Sequence, residues 1–578
     1  MRLASTTLLI LLGLAAPAAH SQTGGGPAAA PAAKAGDLCS MDGRVLDALT
    51  GEPLKKASLK LTPSNAKSAL AGGAIVLPQV FTTSTDASGR YAMKDLDPGT
   101  YRLQVTRNGY VPGEYGARGP SKPGMDLTLA RGQQARDVVV KLTPQGVISG
   151  RVVDEDGDPV ASTTVQLLTP GYSGGKKQLS TAGSATTNDL GEYRAFGLAP
   201  GKYYVTAGSL LVTTEALSVD RSAEARPEES YVATYYPGAV DPVSATPVEV
   251  QPGAQTRGID ITLQKARTVR VAGRVNAPGR VPLLILAPRT LAGALSIRMV
   301  RVDASGSFEI RGVSAGSYSL TGSTQQNGKT YSGSQPVEIG DSNLDGLIFT
   351  LAPGVPVAGH IRIDGGAALD PAKLRIRLGQ REMGLGALVG AIGSVLSGGD
   401  IGGSTGKVND DLTFQLNDIS SDTYDVSVSG LPEGYFVESV RSGEADVLLS
   451  GLEVKGSSPQ PLEIVLSPHG AQINGAVHNA SHQPAAHATV VLVPRDKERS
   501  GHASYYRDAA IGSDGQFHFQ SVPPGEYGLY AWEDVDAGAW MDPDFLKPFE
   551  GSAHNLTVHA DGHESADLAL IPEDTAAK

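Results

Sequence analysis

Along most of the chain, apolar and polar residues alternate strictly in short runs bounded by turn residues. In "TYRLQVT", Tyr101, Leu103 and Val105 fall on one side and Arg102, Gln104 and Thr106 on the other, which is the pattern of a half-buried β-strand. Pro98-Gly99 precedes this run, and before that comes a second alternating run in which Tyr91 and Met93 share a face. An Asp-Gly type turn at residues 86–89 opens the phrase, so the pattern predicts a turn, a strand, a Pro-Gly turn and a second strand.

The phrase returns with a fixed internal spacing. An aromatic residue is followed five positions later by an aliphatic one, and after five more by a tyrosine. The triplets are Tyr91, Leu96, Tyr101; Tyr193, Leu198, Tyr203; Phe308, Val313, Tyr318; Phe414, Ile419, Tyr424; and Phe517, Val522, Tyr527. The fourth copy has Asp422-Thr423 where the others carry a turn ending in Gly. Each copy also has an opening strand ("DGRVLD", "SGRVVD", "AGRVNA", "AGHIRI", "NGAVHN") and a closing strand ("DVVVKL", "GIDITL", "GLIFTL", "PLEIVL", "ADLALI"). The final tyrosines lie 102, 115, 106 and 103 residues apart. That period is long enough for one β-sandwich per copy, each burying its own core.

The expected organisation is therefore a signal peptide (1–21), an Ala/Gly/Pro linker (22–37) and five sandwiches at 38–143, 144–265, 266–352, 353–467 and 468–578. The signal reading rests on Arg2 followed by "LLILLGLAA" and small residues up to Ser21, a run shorter than the roughly 20 apolar residues of a spanning helix. Cleavage is placed after Ser21, although Ala18 and Ala19 also satisfy the small-residue rule. Export implies a secreted, periplasmic or cell-surface protein with no membrane span in the mature chain. Cys39 is the only cysteine, so no intramolecular disulfide can form, and it reads as a small buried apolar residue.

These phrases resemble the carboxypeptidase regulatory-like domain, a transthyretin-like Greek-key sandwich. The resemblance is carried by "SGRVVDEDGDPV", "NDLGEYRAFGLAPGKYYV" and "SDGQFHFQSVPPGEYGLYAWEDV". It implies an all-β tandem array of about five such domains in a multi-domain exported bacterial protein. Related sandwiches are grouped with carbohydrate-binding folds, so the resemblance also raises glycan binding. The fold itself fixes no function.

Composition narrows the chemistry. With 48 basic and 60 acidic residues the net charge is −12, which disfavours nucleic acid as a partner. The sequence has no HExxH or HxxE, so the zinc site of a carboxypeptidase is absent, and no cofactor is expected. "GYSGG" around Ser173 matches a nucleophile-elbow pattern but is expected in a loop rather than between a strand and a helix. Nine of the eleven histidines lie from His469 onward without compact ligand spacing, so no metal site is assigned. Asp154, Asp156 and Asp158 in "DEDGDP" are either an ordinary turn or a fragment of a calcium loop.

Two features point towards contacts. Tyr530, Trp532, Trp540 and Phe545 could form a flat aromatic surface for stacking against sugar rings. Alternatively "EDVDAGAWMDPDFLKPFE" folds back and buries them, which the large gain from covering aromatic rings favours. Asp534 and Asp542 lie beside these rings as turn and loop acids. Residues 383–406 form an apolar, Gly-rich insertion in the fourth unit, suited to a mobile or partner-covered hairpin. The functional expectation is a non-catalytic binding or scaffold protein of the cell envelope, with glycan or envelope protein as partner. A carbohydrate-binding array and an accessory subunit of a peptidase or other enzyme are the alternatives.

Overall fold

The computed structural model describes residues 37–573, apart from 209–211, 214–227, 290–296, 382–403 and several shorter stretches. The expected signal peptide, nearly all of the linker and most of the apolar insertion lie outside the described residues. The described chain is all-β, with short helical turns confined to connections.

The five repeats build the same pair of sheets. In the first, Cys39–Asp47 runs parallel to Gln134–Leu142 and antiparallel to Arg90–Leu96. The facing sheet is centred on Ser58–Pro63 against Gly99–Thr106. Parallel pairing of the opening and closing strands recurs in every repeat, as does the antiparallel pair at the centre of the second sheet. Between the sheets lie five separate hydrophobic cores. All fifteen residues of the spacing rule are buried, as is Cys39.

The spacing of five has a cause that alternation alone does not supply, because residues five apart on a regular strand face opposite ways. In each repeat the residue just before the aliphatic position has a left-handed backbone: Asp95 (φ 56), Gly197 (φ 80), Gly312 (φ 68), Asp418 (φ 58) and Ser521 (φ 55). A register shift accompanies it in each ladder. This bulge inserts one residue and returns Leu96 and its equivalents to the core.

The opening-strand glycine is fixed by close approach. A Cβ on Gly43, Gly150, Gly273, Gly359 or Gly475 would sit 1.9, 2.0, 2.1, 2.4 or 2.0 Å from a carbonyl oxygen of the closing-strand region. The aromatic residue of the rule is the register partner of this glycine in all five repeats. Its ring covers the backbone that the glycine leaves bare. Where the ring is Tyr, its hydroxyl reaches across to donate to the closing side, Tyr91 to Val138 O at 2.9 Å and Tyr193 to Ile259 O at 2.7 Å. Burial pushes both hydroxyls well above the usual tyrosine range.

The repeats are bonded to one another. Val212–Thr213 and Glu228–Tyr231, which sequence spacing gives to the second unit, pair with Arg298–Val300 and Lys265–Asn276 of the third. Gly434 N donates to Ser521 Oγ at 2.9 Å between the fourth and fifth units. The fifth unit also returns to the first two. Arg118 pairs with Glu533 at 2.6 Å and Lys122 with Asp534 at 2.8 Å, while Tyr172 meets Phe545 edge-on at 6.0 Å between centroids.

Candidate ligand groove and the aromatic corner

At the joint of the first two units the loop after Gly99–Thr106 meets the chain leaving the first sandwich. Val111 N donates to Thr143 O at 2.9 Å, Gln145 N to Gly109 O at 2.9 Å, and Gly253 N to Pro144 O at 3.1 Å. The Gln145 side chain adds a bond to Tyr110 O at 2.8 Å, and Tyr110 donates its hydroxyl to the buried carboxylate of Asp47 at 2.8 Å. Backbone hydrogen bonds therefore tie the joint on both sides.

An open groove of about 940 Å³ runs along this joint, near the upper end of ligand-site volumes. Lys55, Lys56, Arg107 and Arg194 line it, and among the described residues no Asp or Glu does. None of these four cations makes an ion pair among the described residues. Arg107 lies over the Tyr110 ring at 4.9 Å and Arg194 over Phe196 at 5.7 Å. Phe196 is 70% exposed. Sequence reasoning missed this groove because its residues come from five separated segments, each unremarkable alone.

The four rings expected as a sugar platform are elsewhere and oriented inward. After the strand Gly525–Trp532, the chain turns through Ala539–Met541, Pro543–Leu546 and Lys547–Ser552 and folds back over it. Tyr530 stacks on Trp532 at 5.0 Å and 7°, and Phe549 meets Trp532 edge-on at 5.7 Å. Tyr530, Trp532 and Trp540 are buried, and Phe545 packs half-buried against them. The fold-back alternative therefore describes this corner, and no open ring face of Trp532 is left for a sugar. Asp542 caps the short helix by accepting from Asp544 N at 3.0 Å, while Asp534 holds Lys122.

Other candidates have local duties. Asp154 accepts from Asp156 N and Asp158 N at 3.0 and 2.9 Å, an Asx turn that Asn188 and Asn479 reproduce with neutral side chains. Ser173 does not lie in an open loop, because the strand Thr164–Ser173 continues to the Gly174-Gly175 hairpin turn and pairs with Lys176–Thr186. His469 is bonded to Asp561 at 2.8 Å, and His518 to Asn474. Among the described residues no three His, Cys, Asp or Glu side chains are grouped to hold a metal.

Residues 40–143 and 147–264 match the family model of the carboxypeptidase regulatory-like domain, one copy for each of the first two units. The groove lies between these two matched units, so both of its walls come from segments similar to that domain. No curated protein matches the chain. Similar solved structures include the Bacillus anthracis TIE protein, at 12% identity over 75% of this chain and 76% of that one, TM-score 0.15. The minor pilin GBS52 of Streptococcus agalactiae aligns at 14% identity over 42% of this chain and 99% of its own, TM-score 0.22. BcpA, the major pilin subunit of Bacillus cereus, aligns at 12% over 54% and 99%, TM-score 0.14.

Proposed function

We propose that this chain is an exported, non-catalytic scaffold and binding protein of the cell envelope, composed of five sandwich domains at 38–143, 144–265, 266–352, 353–467 and 468–578. The observation that carries the reading is the bonding between units. Sheet pairing joins the second to the third, and ion pairs and a ring contact join the fifth to the first two. Such joints turn a string of sandwiches into one body that can hold partners at fixed separations. No helix among the described residues is long and apolar enough to cross a membrane, and the apolar run before Ser21 in the sequence supports export.

The test has three parts. Small-angle scattering of the mature chain is expected to give a radius of gyration of about 25–35 Å, near the compact-chain scaling. A value of about 50 Å or more would mean an extended string. Cell fractionation of the full-length protein is expected to recover it outside the cytoplasm. A panel of chromogenic peptides and glycosides, with and without zinc and calcium, is expected to show no turnover. Turnover abolished by a single substitution such as Asp534→Asn would replace the scaffold reading with an enzymatic one.

A further inference from the structure

We infer that the groove between the first two domains binds an acidic polysaccharide, with carboxylates of uronate-type sugars held by Lys55, Lys56, Arg107 and Arg194. The inference rests on the scaffold reading only in taking the protein to work outside the cytoplasm, where such polymers occur.

Charge is the first reason. The chain carries 60 acidic against 48 basic side chains, yet four cations and no carboxylate line this groove. Five other cations of these domains are paired with acids, Arg102 with Glu114 and Asp126, Arg151 with Glu192, Lys265 with Glu155, and Arg118 and Lys122 with the fifth unit, whereas the groove gathers four cations with no described acid beside them. Four unpaired cations facing one cleft repel each other unless an anion occupies it. The Arg107 and Arg194 guanidinium groups sit over the Tyr110 and Phe196 rings, and a guanidinium has five N–H donors, enough for a carboxylate to be added to the contacts it already makes.

Phe196 supplies an independent reason. Its equivalents, three positions after the aromatic residue of the spacing rule, are Lys94, Arg311, Asn417 and Gln520. The fold therefore asks for a polar residue there, and four of the five repeats provide one. The second repeat places a bare aromatic ring at the groove instead, at the cost of exposing it to water. A ring face beside cations suits the C–H face of a sugar whose edge carries a carboxylate. Asn108, Gln255 and Thr106 on the same walls offer the amide and hydroxyl partners that sugar hydroxyls need.

The alternatives fit less well. A protein partner would need a larger desolvated apolar centre than one exposed ring provides. Single-stranded nucleic acid would need a succession of stacking faces, and the Tyr110 ring is covered by Arg107 and half-buried. Because the joint is already bonded on both sides, binding orders little of the protein.

Polygalacturonate and alginate oligosaccharides, a neutral dextran, a single-stranded oligonucleotide and a poly-glutamate peptide are titrated calorimetrically into the mature full chain. Binding of at least one polyuronate, weakened by added salt and absent for dextran, is expected. Lys55→Gln with Arg194→Gln should weaken it about tenfold or more, and Phe196→Gln, the neutral residue type of the fifth repeat, should weaken it without lowering the melting temperature. The control Lys407→Gln with Arg441→Gln removes the same charge from the fourth unit and should change affinity less than twofold. No binding to either polyuronate, equal loss in the control, or tighter binding to the oligonucleotide or poly-glutamate would overturn the inference. Loss of binding with an unchanged scattering curve would leave the scaffold reading standing.

Discussion

Two clusters of aromatic rings in this protein lie in opposite surroundings. At the groove, Phe196 stands in solvent beside unpaired cations. At the corner of the fifth unit, Trp532 is enclosed by Tyr530, Phe545 and Phe549, and the acidic rim of Glu533 and Asp534 is matched with Arg118 and Lys122. The corner has covered its rings within the chain. The groove has not, and an aromatic surface with unmatched charge is where a partner gains most. The number of rings says nothing about this, since the richer cluster is the closed one.

The sharpest way to break the contrast is to truncate one ring in each cluster. Trp532→Ala is expected to destabilise the protein by about 3–5 kcal/mol, as for other buried aromatics, and Phe196→Ala by less than about 0.5 kcal/mol. Denaturant unfolding followed by circular dichroism reads both, and similar losses would erase the distinction. Next comes Gly175→Ala at the hairpin touching the corner, where a Cβ would lie 2.7 Å from Met541 O on a backbone with φ +73. A loss of about 1–3 kcal/mol is expected, with the scattering radius increasing as the fifth unit separates from the second. A normal radius would show that the hairpin yields without opening the contact.

Smaller effects come from charge. Arg118→Ala and Lys122→Ala each remove a part-exposed ion pair, with an expected cost of about 0.2–1 kcal/mol that high salt abolishes. A salt-independent cost would mean that packing, not charge, holds the corner. The smallest effect concerns His502, at the joint of the fourth and fifth units, with Nδ1 3.4 Å from Arg381. Burial, followed by the Arg381 charge, lowers its pKa below the ordinary 6.5. The unfolded chain therefore takes up the proton first, so stability is full above pH 6.5 and declines as pH falls from there towards the lower folded-state value. His502→Gln should flatten that part of the pH–stability curve, and an unaltered curve would place the slope in other groups.

The repeated sandwich was legible because its cause is local and periodic. Turn chemistry, alternation and the spacing from Tyr91 to Leu96 to Tyr101 are visible in the string of residues. The bulge that makes a spacing of five compatible with burial was not, since it appears at Asp95 or Ser521 as readily as at Gly197. A side chain's tolerance for φ > 0 is a weak marker outside glycine. The glycine of "SGRV" could be seen to recur, but the carbonyl that excludes a Cβ at Gly150 belongs to Ile259, far along the chain.

The sequence by itself determined the fold of each repeat, because backbone preferences and a two-residue period act over a few neighbours and need no knowledge of the rest. Tertiary structure alone decided which surfaces were spent and which were left. Tyr530 and Phe196 are both aromatic residues on strands, each three positions after an aromatic residue of the spacing rule. The first is covered because the segment after Trp532 folds back over it, whereas the second meets only the open joint with the preceding domain. Burial and charge pairing depend on what arrives from distant parts of the chain, and pairs such as Lys122 with Asp534 are separated by 412 residues.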